Sequence, residues 1–188
     1  GGSAAVLHAL AAMPEHFGLD LAVQVVADVA PDPDVALAAI TRLVGHGLVE
    51  YDAGAGTHRL TFIVRHFVDA LADPDGVLDA SRRRHALATI EWATAQTRWG
   101  QRKHPGALDA RAVDVHRAIG WAMEHDPELA CAAFADFGVL LHGALHAAYC
   151  EWLVERTDRG ITWARAVAML PLLAPPSAFA RVVEVLPE

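Results

Sequence analysis

Three residues in the second half of this chain carry metal-ligand chemistry at a regular spacing. His142, His146 and Cys150 recur at i, i+4 and i+8, which lines them up on one helix face. Imidazole and thiolate together form a borderline-soft donor set of the kind zinc takes. Two limits work against an ion there. Gly143 breaks the helix directly after His142, and residues eight apart on a helix lie ~12 Å from each other, beyond the reach of one ion. No second Cys/His cluster supplies the missing ligands. The expectation is a partly buried packing face, with no metal and no other cofactor. Covalent catalysis also lacks its parts. The only serines are Ser3, Ser81 and Ser177, and the paired carboxylates Asp32/Asp34 and Asp73/Asp75 fall in cap and turn sequences. The residues give no basis for an enzyme.

Charged and aromatic side chains offer binding chemistry instead. Arg82, Arg83 and Arg84 with His85 form the basic centre of the chain. Consecutive helical residues spread over about 300° of circumference, so these four cannot make one patch. At least one of the arginines is expected to pair with Asp79, and Arg82 and Arg83 are partner-binding candidates. All five tryptophans (Trp92, Trp99, Trp121, Trp152 and Trp163) fall in the later half. Most should be core or inter-helix contacts. Tryptophan is also a frequent interface anchor, and Trp92 and Trp99 share a heptad face, which makes them candidate partner contacts.

The elements that must position these residues can be read from hydrophobic spacing. Val6, Leu7, Leu10 and Met13 predict a helix over 4–13, Leu21, Val25 and Val29 a second over 19–29 with Asp20 placed to cap, and Leu37, Ile40, Leu43 and Val44 a third over 34–46 capped by Asp34. Gly45 and Gly47 stop it. Leu48, Val49 and Tyr51 suit a short strand, Gly54-Ala55-Gly56 a turn, and His58 to Phe62 a return strand. Three helices followed by a two-stranded wing make a winged helix. Winged helices often read DNA, and here Arg42 on the third helix and Arg59 on the wing would be the DNA-binding residues. Charge argues against it. Residues 1–63 carry two positive and seven negative side chains, a balance that repels phosphate.

Downstream, helices are expected at 63–72, 77–98, 108–125, 128–142, 147–157 and 159–169. Their short breaks predict an antiparallel bundle of tetratricopeptide-like helix pairs. The chain thus divides into a winged-helix module over 4–72, a helical domain over 77–170, and a Pro-rich tail with a terminal helix stub over 171–188; that tail suggests an array cut short. The leading Gly1-Gly2-Ser3 reads as a linker. No apolar run reaches the ~18 residues of a membrane span. Two cysteines make no disulfide framework, which fits a reduced, cytoplasmic setting.

The passage ITRLVGHGLVEYDAGAGTHRLTFIVRHFVDAL resembles the winged-helix module of signal-transduction ATPases with numerous domains, which include actinobacterial transcription regulators of the LuxR-like and antibiotic-regulatory kinds. Arg82-Arg83-Arg84-His85 resembles the basic start of the helix after that module, and residues 114–126 the helix leading into their tetratricopeptide-like repeats. The three passages lie in the family's order and cover roughly residues 5–170. Related ATPases often carry Met-His-Asp where the second wing strand enters the next helix, the histidine touching nucleotide phosphate. The matching positions here are Leu60, Thr61 and Phe62. The resemblance therefore implies Thr61 and Arg65 as the nucleotide-proximal residues, in a chain that departs from the motif at the imidazole and the carboxylate. The phosphate-cradling Gly-x-x-x-x-Gly-Lys-Ser/Thr loop is absent.

These readings converge on a non-catalytic regulatory fragment of a bacterial multidomain ATPase transcription regulator. It would couple a helical sensor array to the switch domain, with a protein partner or the absent ATPase domain as its contact and homodimerisation left open. The alternative is a stand-alone DNA-binding winged-helix factor with a helical dimerisation or ligand-sensing domain.

Overall fold

The computed structural model describes residues 2–71, 73, 76–97, 108, 111–138, 144–156 and 160–169. Among these the chain is mainly helical, with one two-stranded antiparallel sheet. No helix among them is long and apolar enough to cross a membrane. Two compact units divide it, Gly1–Thr89 and Ile90–Glu188.

The first unit opens with α1 (Gly2–Leu10), which takes in Gly2 and Ser3 and buries Val6 and Leu10. Next come α2 (Leu19–Val25), a single 3-10 turn (Val26–Asp28) and α3 (Pro33–Gly45). Gly18, not Asp20, is the N-cap of α2, and Asp20 sits in its first turn, facing the positive end of the helix. The α3 cap is also displaced from expectation. Asp32 fills it, its Oδ1 accepting from Asp34 N–H at 2.9 Å. The reason is Pro33: its fixed φ and missing N–H suit the first helical position, so the helix starts there and the cap falls one residue earlier.

The end of α3 shows why glycine is needed at one position. Gly47 has φ 69°. Its N–H reaches Val44 O at 2.9 Å while Leu48 N–H reaches Leu43 O at 3.0 Å, the paired bonds of a Schellman motif. The chain then reverses into β1 (Val49–Asp52) and β2 (Thr57–Leu60), antiparallel with Val49 opposite Leu60 and Glu50 opposite Arg59. Asp52 Oδ1 holds the turn by accepting from Gly54 N–H at 2.8 Å and Ala55 N–H at 3.1 Å. Those two N–H groups, led by Ala55, hold its carboxyl below the usual carboxylate range. On the other side of β2, Phe17 and His58 exchange both backbone hydrogen bonds at 2.8 Å, adding a one-residue bridge between α1 and α2.

Beneath lies one apolar core that includes Leu10, Met13, Phe17, Val25, Ile40, Leu43, Val49 and Leu60. α4 (Phe62–Asp69) and the start of α5 (Val77–Thr97) close it through Val68 and Leu78. Asp73 Oδ2 accepts from Leu78 N–H (3.0 Å) and Asp79 N–H (3.2 Å) at the head of α5. The unit boundary falls inside α5 rather than at the 73–76 break, because Leu78 and Ala88 pack on the first core.

The second unit contains the rest of α5, then α6 (Ala112–His125), α7 (Pro127–Phe137), α8 (Ala144–Glu155) and α9 (Ile161–Met169). Asp126 makes the sharp α6–α7 corner, its Oδ1 accepting from Leu129 N–H at 3.1 Å with Pro127 at the first helical position. α7 therefore begins one residue before the expected 128, for the same reason as α3. α7 packs on both α6 and α9, and α9 also meets α8, where Trp163 Nε1 donates to Leu153 O at 2.8 Å. Val115, Ile119, Phe134, Phe137, Leu153 and Trp163 are among its buried apolar residues. The proposed tail over 171–188 lies outside the described residues.

Candidate functional site

Apolar residues fall on both sides of α4, more than one face can hold. Val64 and Val68 turn to the core. Phe62, Ile63 and Phe67 point away, with 83%, 79% and 62% of their surface exposed, and Leu71 extends the strip at 46%. His66 stacks on Phe62 with ring centroids 6.4 Å apart and planes 5° from parallel. Scattered exposed apolar residues are ordinary, but three large neighbours on one helix are the kind of surface that marks a contact site. The signal was present in the sequence, since Phe62-Ile63-Val64 and Phe67-Val68 cannot all face one core.

Arg65 sits on the same helix and faces the other way. Its Nη1 donates to Met13 O at 2.9 Å and Ala11 O at 3.3 Å, and its Nη2 donates to Pro14 O at 2.9 Å. These carbonyls follow the last turn of α1, where helical partners have run out. The guanidinium expected near nucleotide therefore clamps α4 to the end of α1. Thr61 is the N-cap residue of α4, its hydroxyl making no cap hydrogen bond, while its N–H donates to Leu48 O at 3.3 Å.

The wing shows little cationic surface. Arg59 is bound by its cross-strand neighbour Glu50, with Nε donating to Oε2 at 2.7 Å. Arg42 on α3 is exposed and reaches Ser3 Oγ at 3.4 Å. Between β1 and the Phe17 bridge lies the His58 ring, 4.9 Å from that of Tyr51 and 6.1 Å from that of Phe17. Burial there pushes its pKa down.

The basic cluster on α5 divides as its helical spread requires. Arg82 and Arg83 are exposed, whereas His85 is buried on a face it shares with Ser81 and Thr89. Arg84 pairs through two nitrogens with Asp28, not with Asp79, because its direction on the helix points back to the 3-10 turn. That hydrogen bond holds Asp28 below the usual carboxylate range. In the second unit, the half-buried Trp92 ring takes the Arg111 guanidinium 4.2 Å above its centroid, and Arg111 Nε also reaches the buried Asp114 at 3.2 Å. Trp99 lies outside the described residues.

For the metal candidates, His142 and the His146 side chain also lie outside the described residues. Cys150 is buried, and burial, then Glu151, pushes its thiol pKa up, away from the thiolate a metal needs. Among the described residues no three His, Cys, Asp or Glu side chains form a metal-holding group. Next to Cys150 on α8, Tyr149 donates its hydroxyl to His116 O at 3.2 Å and lies 2.9 Å from His116 Nδ1. Burial raises the phenol to about 12 and lowers the His116 imidazole.

One feature of the second unit has no counterpart in the sequence reading. A cavity of ≈ 430 Å³ opens between the α6–α7 corner, the residue after α8 and the start of α9. Its walls include Asp126, Glu128, Cys131, Arg156, Thr162 and Trp163. Asp126, Glu128 and Cys131 lie 25 or more residues before Arg156 and the start of α9, a separation no local pattern could have announced. Comparison of the chain with protein-family models, curated proteins and solved structures gives no match.

Proposed function

We propose that the first unit is a winged-helix module and the second a tetratricopeptide-like pair array. Together they would act as the non-catalytic interaction part of a bacterial multidomain ATPase transcription regulator, in the cytoplasm. The order α1, Phe17 bridge, α2, α3, β1, β2 supports the winged helix, and the contacts of α7 with α6 and α9 and of α9 with α8 support the array. The observation that carries the function is the α4 surface. Phe62, Ile63 and Phe67 stand exposed beside a wing whose Arg59 is neutralised by Glu50. An apolar face next to an acidic wing suits a protein domain and not a phosphate backbone.

In this reading α4 seats the nucleotide-binding domain, and the wing serves as a packing surface. Thr61, at the head of α4, would lie nearest that domain. The test uses the natural gene product containing this segment. It should carry a phosphate-binding loop ahead of Val6 and hydrolyse ATP, and Phe62→Asp with Phe67→Asp should change turnover while leaving the far-ultraviolet circular dichroism intact. A product without a nucleotide-binding segment, or turnover indifferent to both substitutions, refutes it. Tight, salt-sensitive binding of this chain to promoter DNA in a gel shift would favour the stand-alone DNA-binding reading instead.

A further inference from the structure

The exposed side chains of α4 fall into two neighbouring ridges. Ile63 and Phe67 stand four apart, and Leu71 continues their line past the C-cap at Ala70. Phe62 and His66 form the second ridge, ring beside ring, followed by the exposed Ala70. Rows of residues four apart are what two helices interleave when they cross at about −50°, the commonest packing of helix on helix. Scaled by their exposure, Phe62, Ile63, Phe67 and Leu71 present about 500 Å² of apolar surface. Two such strips laid face to face remove ~1,000 Å² from water, the lower bound of a specific interface.

Charge decides where a second copy can settle. The chain carries −8 overall, and over residues 1–63 two positive side chains stand against seven negative ones. Two copies repel wherever such surfaces meet. The α4 strip escapes this, because its one titratable member is His66 and Arg65 is turned away to the carbonyls after α1. Asp69 is the last residue of the helix. A two-fold axis across the strip sets the two helices antiparallel and brings this acidic end of each toward the N-terminus of the other. Negative charge is favoured there by the helix dipole. The strip is therefore complementary to itself, as an isologous contact requires. We propose that α4 pairs with α4 of a second copy about an axis at Phe67, which lies at the middle of the strip from Phe62 to Leu71, giving a weak homodimer. This pairing goes beyond the docking of α4 on a nucleotide-binding domain and competes with it for one surface. It belongs to a chain whose switch domain is absent or turned away.

The experiment is analytical ultracentrifugation of the whole chain over micromolar to sub-millimolar concentrations. The weight-average mass should climb from monomer toward dimer. Raising sodium chloride from about 0.05 M to about 0.5 M should tighten pairing several-fold, because salt screens the repulsion between two acidic chains and leaves apolar contact intact. Phe67→Asp and Phe67→Lys each set like charges against each other at the axis and should weaken pairing tenfold or more. An equimolar mixture of the two should pair at least tenfold more tightly than either alone, which only a face that meets itself produces. A chain that stays monomeric throughout overturns the proposal, as does a dimer untouched by a folded Phe67→Asp or a mixture no tighter than its components. Pairing that salt weakens also overturns it and moves the contact to charged residues such as the exposed Arg82 and Arg83. Ile63→Asp, at a more exposed position of the same ridge, decides the matter if the Phe67 variants do not fold. Failure to pair leaves the docking of a nucleotide-binding domain untouched, since turnover of the longer gene product reads that contact and not a second copy.

Discussion

Replacing Arg65 with methionine keeps the aliphatic stem and removes the guanidinium. The loss can be sized from the contacts. Two hydrogen bonds at 2.9 Å, to Met13 O and Pro14 O, disappear together with a longer one at 3.3 Å to Ala11 O. A hydrogen bond from a charged donor is worth about 1.5–3 kcal/mol net. Taking the low end for the two short bonds and ignoring the third gives ~3 kcal/mol, a large share of the stability of a small domain. With a urea slope of about 2 kcal/mol/M, the unfolding midpoint should fall by roughly 1.5 M. Far-ultraviolet circular dichroism reads the transition. Tryptophan emission, which arises only from residue 92 onward, follows the second unit separately. Arg65→Lys, with fewer and less directed donors, should recover about half the loss. A change below ~0.5 kcal/mol for Arg65→Met, the size of an ordinary surface substitution, would refute the clamp. It would return Arg65 to the role of a nucleotide contact, which costs nothing in a chain without nucleotide.

Acid should weaken the fold early. His58 and His116 both have pKa values lowered by burial, so the unfolded chain takes up protons as pH falls below the ordinary 6.5 while the native state resists. Their contribution is complete above that pH and drains away below it, and urea midpoints measured from pH 7.5 to 5 should decline, less so in His58→Phe. Asp28 and Asp52, with carboxyls held below the ordinary 3.8, add a second loss beneath that value. Gly47→Ala forces a side chain into the left-handed conformation that closes α3 and should cost about 1 kcal/mol in the same urea assay. Tyr149→Phe removes the hydroxyl shared with His116 and should lower the tryptophan-monitored midpoint by the equivalent of about 1 kcal/mol.

The elements were legible where the signal was periodic. Leu37, Ile40 and Leu43 mark α3 because one helix face must be apolar, and Gly47 marks its end because few residues adopt a positive φ. Both expected caps slipped by two residues, from Asp20 to Gly18 and from Asp34 to Asp32, where glycine or proline competed with a nearby aspartate. The Phe17 bridge could not be read, since a single residue has no alternation. The partners of Arg65, 51 to 54 residues away, and of Arg84, 56 away, were hidden for another reason. Long side chains choose among carbonyls and carboxylates by three-dimensional proximity. The cavity was illegible on the same ground, because Asp126 and Glu128 meet Arg156 only after the α6–α7 corner and the end of α8 have come together.

The ring of His58, held between those of Phe17 and Tyr51, has a use outside stability. Protons lying over aromatic faces feel the magnetic shielding of the circulating π electrons. The imidazole carbon-bound protons of His58 should thus be displaced, as should those of His125 stacked on Trp121, and the pair missing in His58→Phe assigns them. That pair of signals would then report, residue by residue and in real time, whether the strand pair is closed on the segment before α2. The same signals would show when a partner settling on the neighbouring helix disturbs it.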